Sequence, residues 1–343
     1  MISSRLTIAL DIMGGDNGPH VTLPAAVKAL QQNSNLFVIL CGDENIIGDM
    51  LGELDPDLTS RIEIQHCSEH VAMDELPSHA LRNKKDSSMR RALERVECGD
   101  ADACVSAGNT GALLAMAYHV LKTISGIDRP ALVSALPTEG HHKLFLLDLG
   151  ANVNCDSETL FQYAVMGSVL AEEVTGVSFP RVALLNVGEE QIKGNDQVKF
   201  TAKLLQDAPG INYTGFVEGN DIFTNCADVV VTDGFVGNIA LKACEGLAKL
   251  VLEEAKRVSN QNLMTKILAK IALPLLRKIY LRVNPDQYNG ASLIGLRGIV
   301  VKSHGNASSD AFLYAIKEAL QEVHRQVPQK IKDKIESVLM ERS

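Results

Sequence analysis

Short apolar runs alternate along the chain with longer segments of helical period, and this alternation constrains the fold more than any other feature. The strand-like runs cover residues 6–11, 36–41, 62–66, 103–106, 131–136, 144–149, 182–187, 228–232 and 293–301. The helix-like segments cover residues 20–32, 87–97, 110–122, 157–174, 195–207, 235–258 and 306–326. The alternation predicts an α/β fold with a doubly wound, mostly parallel sheet that helices cover on both faces.

The length of 343 residues suffices for one large domain or two intimate ones. The sequence has no internal repeat and no Pro-, Gly- or Ser-rich linker. We therefore predict a single α/β domain over residues 1–343, in which any second lobe is interleaved with the first.

Composition argues against several classes of protein. Aromatic residues make up 4% of the chain, Trp is missing and the net charge is −9, so nucleic-acid binding is not expected. The seven cysteines include no C-x-x-C pair, which is typical of reduced thiols in a cytoplasmic protein. The first apolar run is too short for a secretory signal, and no apolar run reaches the roughly 18 residues of a spanning helix. These patterns predict a cytoplasmic protein.

Glycine-rich turns follow several of the predicted strands, at residues 11–19, 106–111, 148–152, 233–238 and 304–308. Each turn could offer free backbone N–H groups and the positive end of a helix dipole to an anion. One such turn means little, but five in one chain favour a phosphate or carboxylate ligand.

The common catalytic motifs are missing from the sequence. There is no G-x-G-x-x-G after the first strand, no G-x-x-x-x-G-K-[ST], no H-E-x-x-H and no G-x-S-x-G. A dinucleotide site, an ATP-driven step, a zinc site and a serine-hydrolase triad all become less favoured.

Two polar residues in glycine-rich surroundings are candidates for catalysis. Lys193 lies in the loop 188–195 and could place a positive charge over an anion or a developing oxyanion; alternatively it is a solvated loop lysine. Asn238 could donate its amide to a reacting carbonyl oxygen, or it could cap the helix that follows.

Two basic segments stand out on this acidic chain. Residues 82–91 concentrate positive charge ahead of a helix, which is typical of a solvated face but also of a docking patch for an acidic partner or a phosphate. Residues 255–285 contain seven Lys or Arg and no Asp or Glu, with apolar residues recurring every four positions and Pro274 between two halves. The second pattern predicts an amphipathic hairpin that lies on anionic lipid, or a helix that packs on its own domain or at a dimer seam.

Taken together, the motifs resemble those of the bacterial phosphate acyltransferases, the acyl-ACP:phosphate transacylases that start phospholipid synthesis. The matching stretches are residues 11–19, 84–90, 106–112, 147–152, 193–195 and 233–238. They extend over essentially the whole chain. The one departure noticed is Ile12, where the family pattern has Ala.

The resemblance implies transfer of an acyl group from acyl carrier protein to inorganic phosphate, on a fold similar to those of isocitrate dehydrogenases and phosphotransacetylases. It also implies a homodimer without metal or nucleotide cofactor, attached peripherally to the inner membrane beside the downstream acyl-phosphate:glycerol-3-phosphate acyltransferase.

The same resemblance assigns expected roles to individual residues. Lys193 and Asn238 are the expected catalytic pair. The expected substrate- and phosphate-binding residues are Asp11, Gly14, Gly15, Asp16, Asn109, Thr110, Asn152, Gly237 and His304. Carrier docking is expected at Arg82, Lys84, Lys85 and Arg90, and membrane contact at Leu263, Ile267, Leu268, Ile271 and Leu275.

Two other functions remain open at this point. A nicotinamide-dependent decarboxylating dehydrogenase can share this fold without G-x-G-x-x-G, but it would need Asp side chains around a divalent metal. A non-catalytic anion-binding membrane scaffold would bind phosphate without forming a product. Neither alternative explains the polar glycine-rich loops and the basic hairpin together.

Overall fold

A single sheet of eleven strands runs through the computed structural model, which describes residues 5–52, 54–262, 264–267, 269–272 and 290–342. The strands are β1 (Leu6–Asp11), β2 (Leu36–Gly42), β3 (Ile62–His66), β4 (Ala103–Ser106), β5 (Ala131–Pro137), β6 (Lys143–Leu147), β7 (Arg181–Leu185), β8 (Asn212–Val217), β9 (Val229–Val231), β10 (Ala291–Ile294) and β11 (Ile299–Lys302). The helices are α1 (Pro19–Gln32), α2 (Glu44–Leu51), α3 (Pro56–Thr59), α4 (Pro77–Asn83), α5 (Ser88–Glu97), α6 (Thr110–Leu121), α7 (Ser157–Thr175), α8 (Asp196–Gln206), α9 (Gly234–Ser259), α10 (Ser309–Arg325) and α11 (Val327–Arg342).

The strand order is β3-β2-β1-β4-β11-β10-β5-β6-β9-β7-β8. Neighbouring strands are parallel in both outer parts of the sheet, while β10 is antiparallel to β11 and β5, and β5 is antiparallel to β6. The predicted doubly wound, mostly parallel sheet is therefore confirmed. Its two parallel parts run in opposite directions, because three antiparallel pairings separate them.

Alternating side chains of the central strands supply the core on both faces of the sheet. In β1, Ile8 and Leu10 join the apolar cluster beneath α1 and α10, whereas Ala9 joins the cluster beneath α5 and α6. All six β1 residues are buried, as expected for a strand covered on both faces. The second parallel part packs in the same way against α7 and α11.

The structure corrects the sequence-based elements at several places. The strand predicted over 293–301 is two antiparallel strands, because Gly295 takes a φ of 91° and turns the chain between them. Strand β8 and helices α2, α3, α4 and α11 were not predicted. Of the hairpin expected over residues 255–285, the last turn of α9 and the helical residues 264–267 and 269–272 are described. Its second half lies outside the described residues, so the hairpin and the single-domain organisation stay predictions.

Candidate active site

A cavity of about 1050 Å³ lies between α9 and the face of β5. Side chains at alternate β5 positions, Leu132, Ser134 and Leu136, form its floor, because alternate residues of a strand share one face. Most of the remaining wall is apolar, and its apolar residues include Leu149, Phe223, Leu241, Leu247, Ala248, Val251 and Leu252. The composition suits an alkyl chain.

The first turn of α9 is held in place by two glycines and a cap. The Asp233 carboxylate accepts a hydrogen bond from the N–H of Val236 at 2.8 Å. A Cβ atom added to Gly234 would lie 2.6 Å from the carbonyl oxygen of Asn152, and one added to Gly237 would lie 2.0 Å from that of Asp148. Only glycine allows the helix to start so close to the loop that follows β6.

This close packing places Asn238 at the cavity wall beside that loop. A Cβ atom on Gly150 would come within 3.3 Å of the Asn238 Cβ, and both residues line the cavity. Gly237 allows this close approach, and its predicted part in substrate binding stays a prediction. Asn238 is exposed, so its amide is accessible to a ligand.

Asp148 organises the loop next to Asn238. Its carboxylate accepts hydrogen bonds from the backbone N–H groups of Leu132 at 2.9 Å, Ala151 at 3.0 Å and Asn152 at 2.6 Å. Burial raises the pKa of Asp148, although these hydrogen bonds act in the opposite direction. The Asn152 amide donates to the carbonyl of Pro130 at 2.7 Å, so this predicted binding residue has a structural partner.

The opposite end of the α9 wall carries a second polar group. His304 Nε2 lies 3.3 Å from Glu245 Oε1, and Lys242 Nζ lies 2.8 Å from Glu245 Oε2. Contact with His304, and then with Lys242, lowers the pKa of Glu245 to about 2. Since Asn238 and Glu245 are seven residues apart on one helix, the two polar ends are separated by about 10 Å.

Beneath His304 lies a buried lysine that the sequence analysis missed. Lys302 ends β11, lines the cavity and is 7% exposed. Its amine donates to the carbonyl oxygens of Ser303 and, at 3.4 Å, of Ala107. Burial lowers the pKa of Lys302 to about 8, although the nearby Asp11 acts in the opposite direction. A charged residue that closes the apolar run 299–301 was the available signal.

Asp11 lies below the surface rather than on the cavity wall. Its carboxylate is 1% exposed and accepts hydrogen bonds from the hydroxyls of Ser88 and Ser106, both at 2.6 Å. Burial raises the pKa of Asp11, and the two serines oppose the shift. A Cβ atom on Gly14 would lie 2.5 Å from this carboxylate, so Gly14 is needed for close packing.

The other predicted phosphate-binding residues surround the same corner of the fold. The N–H of Asp16 donates to the carbonyl of Gly305 at 2.8 Å, and Gly15 has a φ of 93°. Asn109 caps α6 by accepting from the N–H of Ala112 at 3.0 Å, which leaves Thr110 on the cavity wall. The structure therefore brings Thr110, Asn238 and His304 to the cavity.

Lys193 is not among the residues that line the cavity. It lies in the loop between β7 and α8, where its ammonium is 2.8 Å from Glu190 Oε2 and its side chain is 44% exposed. The hydrogen bond to Glu190 raises the pKa of Lys193. Its catalytic role remains a prediction.

The predicted carrier-docking residues lie on and after α4. Arg82 and Lys85 are exposed, whereas Lys84 lies 3.6 Å from Glu69 and Arg90 lies 2.8 Å from Glu94. Acidic neighbours therefore offset part of the positive charge.

Of the predicted membrane-contact residues, Ile267 is 51% exposed and Ile271 is 71% exposed. Leu263, Leu268 and Leu275 lie outside the described residues. No helix in the described part of the chain is both long and apolar enough to cross a membrane. Nor does any group of three or more His, Cys, Asp or Glu in the described ranges come together in a way that could hold a metal ion.

Solved structures with similar folds include a phosphotransacetylase, a phosphotransacylase and dehydrogenases. The phosphotransacetylase EutD from Staphylococcus aureus superposes with a TM-score of 0.60 at 18% identity, covering 94% of each chain. A branched-chain phosphotransacylase from Enterococcus faecalis V583 gives a TM-score of 0.57 at 18% identity, covering 92% of this chain and 99% of the other. At this identity the likeness establishes the fold alone.

Sequence relatives are much closer. A phosphate acyltransferase from Pseudoalteromonas atlantica is 64% identical over 339 residues, which is 99% of each chain. One from Shewanella sp. strain W3-18-1 is 59% identical over 338 residues, covering 98% of this chain and 99% of the relative. A family model described as fatty acid synthesis protein matches residues 6–330. The chain is an enzyme that belongs to the phosphate acyltransferase family.

Proposed function

We propose that this enzyme transfers a long acyl group from acyl carrier protein to inorganic phosphate, an early step of phospholipid synthesis. The observation that carries the proposal is the cavity of about 1050 Å³ with apolar walls and polar ends, in a member of the phosphate acyltransferase family. An acetyl group would leave most of those walls without contact, whereas a long alkyl chain would bury them.

The reaction needs no covalent enzyme intermediate. A phosphate oxygen attacks the thioester carbon, the new C–O bond forms, and the C–S bond breaks with its electron pair going to sulfur. The proton released by hydrogen phosphate passes to that sulfur, so that acyl phosphate and the free thiol carrier leave. The enzyme contributes by positioning both substrates and stabilising the tetrahedral oxyanion.

Asn238 donates its amide to this oxyanion, and Lys193 provides the positive charge. For Lys193 to do so, its ammonium exchanges Glu190 for the oxyanion when the substrate binds. Glu190 lies on the same exposed loop, and an ion pair between exposed side chains contributes little free energy, so the exchange costs little.

The acidic carrier protein docks on the basic residues around α4. A Cβ atom on Gly111, which lines the cavity, would lie 2.7 Å from Pro77 at the start of that helix. Arg82 is five residues further along, or about 8 Å. The thioester-bearing arm of a carrier protein bound there could reach the cavity.

The enzyme works as a homodimer on the cytoplasmic face of the inner membrane, where it passes acyl phosphate to the downstream glycerol-3-phosphate acyltransferase. Support for the membrane contact comes from the exposed apolar side chains of Met264, Ile267 and Ile271, which alternate with Lys266 and Lys270. Apolar and basic groups in one helical stretch suit an anionic lipid surface.

The test uses purified protein and long-chain acyl carrier protein, with and without inorganic phosphate, followed by mass spectrometry. Phosphate-dependent appearance of both acyl phosphate and free carrier is the expected result. Release of carrier without phosphate would indicate a thioesterase. No release would contradict the proposal and favour an anion-binding scaffold. In a separate assay with a nicotinamide cofactor, a change in the cofactor's absorbance would favour a dehydrogenase.

A further inference from the structure

We propose that Lys302 is a further catalytic residue, whose buried ammonium holds the attacking phosphate at the His304 end of the cavity. The inference rests on the proposed function and adds the residue that fixes the nucleophile. Lys193 and Asn238 are assigned to the oxyanion and leave the phosphate without a cationic partner.

The position of Lys302 suits this role. It is the last residue of a central strand, paired in parallel register with Ser106 of β4, so its backbone is fixed by the sheet. The side chain is 7% exposed yet lines the cavity. A cation on such a rigid element can hold an anion in one place with little reorganisation.

The ammonium has little counter-charge of its own. Its two hydrogen-bond partners are the uncharged carbonyls of Ser303 and Ala107. The buried carboxyl of Asp11, which favours the charged form of Lys302, is engaged by Ser88 and Ser106. Within the described ranges, no carboxylate lies within 4.0 Å of the Lys302 ammonium, the limit for an ion pair. A buried cation without a close anion is costly, and a bound phosphate would remove much of that cost.

A second positive charge faces the same space. Lys242 projects from α9 into the cavity and disfavours the charged form of Lys302. The Glu245 carboxylate contacts both Lys242 and His304, so its single negative charge is shared between two neighbours. An anion between Lys302 and Lys242 would turn this repulsion into attraction.

The charged groups near Lys302 come from three parts of the fold. Asp11 and Asp16 come from β1 and the loop after it, Lys242 and Glu245 from α9, and His304 from the loop after β11. Burial lowers the pKa of Lys302 to about 8; Lys242 acts in the same direction, while Asp11 and Asp16 act in the opposite one. The positive charge that attracts phosphate is therefore present below about pH 8 and is lost as the pH rises through that value.

The experiment measures the KM for inorganic phosphate and the KM for acyl carrier protein in wild type, Lys302→Met and Lys302→Arg. Methionine keeps the apolar stem and removes the charge. We expect Lys302→Met to raise the phosphate KM roughly tenfold or more, with little change in the KM for the carrier. The matched control is Lys249→Met, which removes one exposed charge from the side of α9 outside the cavity and should leave both constants unchanged.

The pH profile provides a second, independent readout. From about pH 7.5 to about pH 9.5, the wild-type phosphate KM should rise as Lys302 loses its proton, while Lys302→Arg, which stays charged, should show a flat profile. This comparison decides the matter if Lys302→Met does not fold, as judged by its thermal melting.

A folded Lys302→Met enzyme with a wild-type phosphate KM would overturn the inference. So would an equal rise of the phosphate KM with pH in wild type and Lys302→Arg. If wild-type enzyme forms no acyl phosphate at all, the proposed function fails first, and the failure is visible before any variant is compared.

Discussion

Helices α7 and α9 lie on opposite faces of the sheet beside β6, and they relate to the core in opposite ways. Twelve of the 19 residues of α7 are buried, including Phe161 and Tyr163. In the 26 residues of α9, the buried positions are Gly234 and Gly237. The longer helix therefore contributes far less apolar burial to folding than the shorter one.

Burial of α7 contributes to the free energy of folding, whereas the exposed side chains of α9 contribute to the free energy of binding. Burial of α7 stabilises the fold, since its side chains leave water when the chain folds. The apolar residues of α9, such as Leu247 at 63% and Val251 at 58% exposure, leave water only when something binds beside them. We interpret α7 as part of the core and α9 as a wall for substrate and partners.

The largest expected effect is on stability and separates the two helices directly. Phe161→Ala should lower the free energy of unfolding by about 3–5 kcal/mol, because Phe161 is 1% exposed. Leu250→Ala, at an α9 position that is 56% exposed and outside the cavity lining, should change it by less than about 0.5 kcal/mol. Urea denaturation measures both. A large loss of unfolding free energy for Leu250→Ala would contradict the comparison, because it would mean that a second copy of the chain covers α9.

The next effect is on turnover and concerns the tightly packed first turn of α9 and the loop before α8. Asn238→Ala and Lys193→Ala should each lower kcat about 100-fold or more through loss of oxyanion stabilisation, with unchanged thermal melting. The control is Asn220→Ala, which removes an exposed amide in the turn after β8. Normal turnover in either catalytic variant would remove that residue from the mechanism.

A further effect on stability depends on pH and concerns α10, which like α7 has a buried face. Glu322 on α10 is 3% exposed and contacts the Ser292 hydroxyl, and burial, with Glu318 adding to it, raises its pKa to about 8. Between its ordinary pKa near 4.5 and about 8, the folded state holds a proton that the unfolded state has lost. Stability should therefore fall as pH rises through this window, by up to about 1.4 kcal/mol per unit.

Glu322→Gln should flatten this dependence, whereas Glu336→Gln, at an exposed site on α11, should retain it. Denaturant midpoints at several pH values measure the effect. A wild-type slope that persists in Glu322→Gln would assign the dependence to another group.

The smallest effect concerns the exposed apolar residues beyond α9. The double substitution Ile267→Glu and Ile271→Glu should weaken binding to anionic vesicles roughly tenfold, measured by co-sedimentation. Met50→Glu together with Val177→Glu adds the same charge at exposed apolar positions elsewhere and should leave binding unchanged. Equal binding by all three proteins would make this stretch a packing or dimer element.

Much of the sheet could be predicted because fully buried strands are continuous apolar runs. The runs at 6–11, 36–41 and 103–106 match β1, β2 and β4 almost residue for residue. Strand β8 could not be predicted, because it lies at the edge of the sheet, is only half buried and contains Gly215 at a φ of 107°. The direction of the strands could not be predicted either, since the antiparallel pairings of β5 and β10 depend on contacts between segments far apart in the sequence.

The site could be predicted in part, for a similar reason. Polar residues in glycine-rich loops were recognisable, and three of them, Thr110, Asn238 and His304, line the cavity. Lys242 and Glu245 look like ordinary surface residues of an amphipathic helix until α9 is placed over β5. Asp11 carried the same sequence signal as a ligand-binding carboxylate, but only the structure reveals that two serines engage it below the surface.

The contact of Gly237 with Asp148 has a consequence for how variation in this family is interpreted. With 2.0 Å between the carbonyl oxygen of Asp148 and the place where a Cβ would be, even alanine would push the start of α9 outwards. Such a shift would carry the Asn238 amide away from its place at the cavity wall while leaving the core around α7 untouched. Genetic screens would then score position 237 as essential for activity and dispensable for expression, the signature of an active-site residue, although a glycine there needs no contact with any substrate.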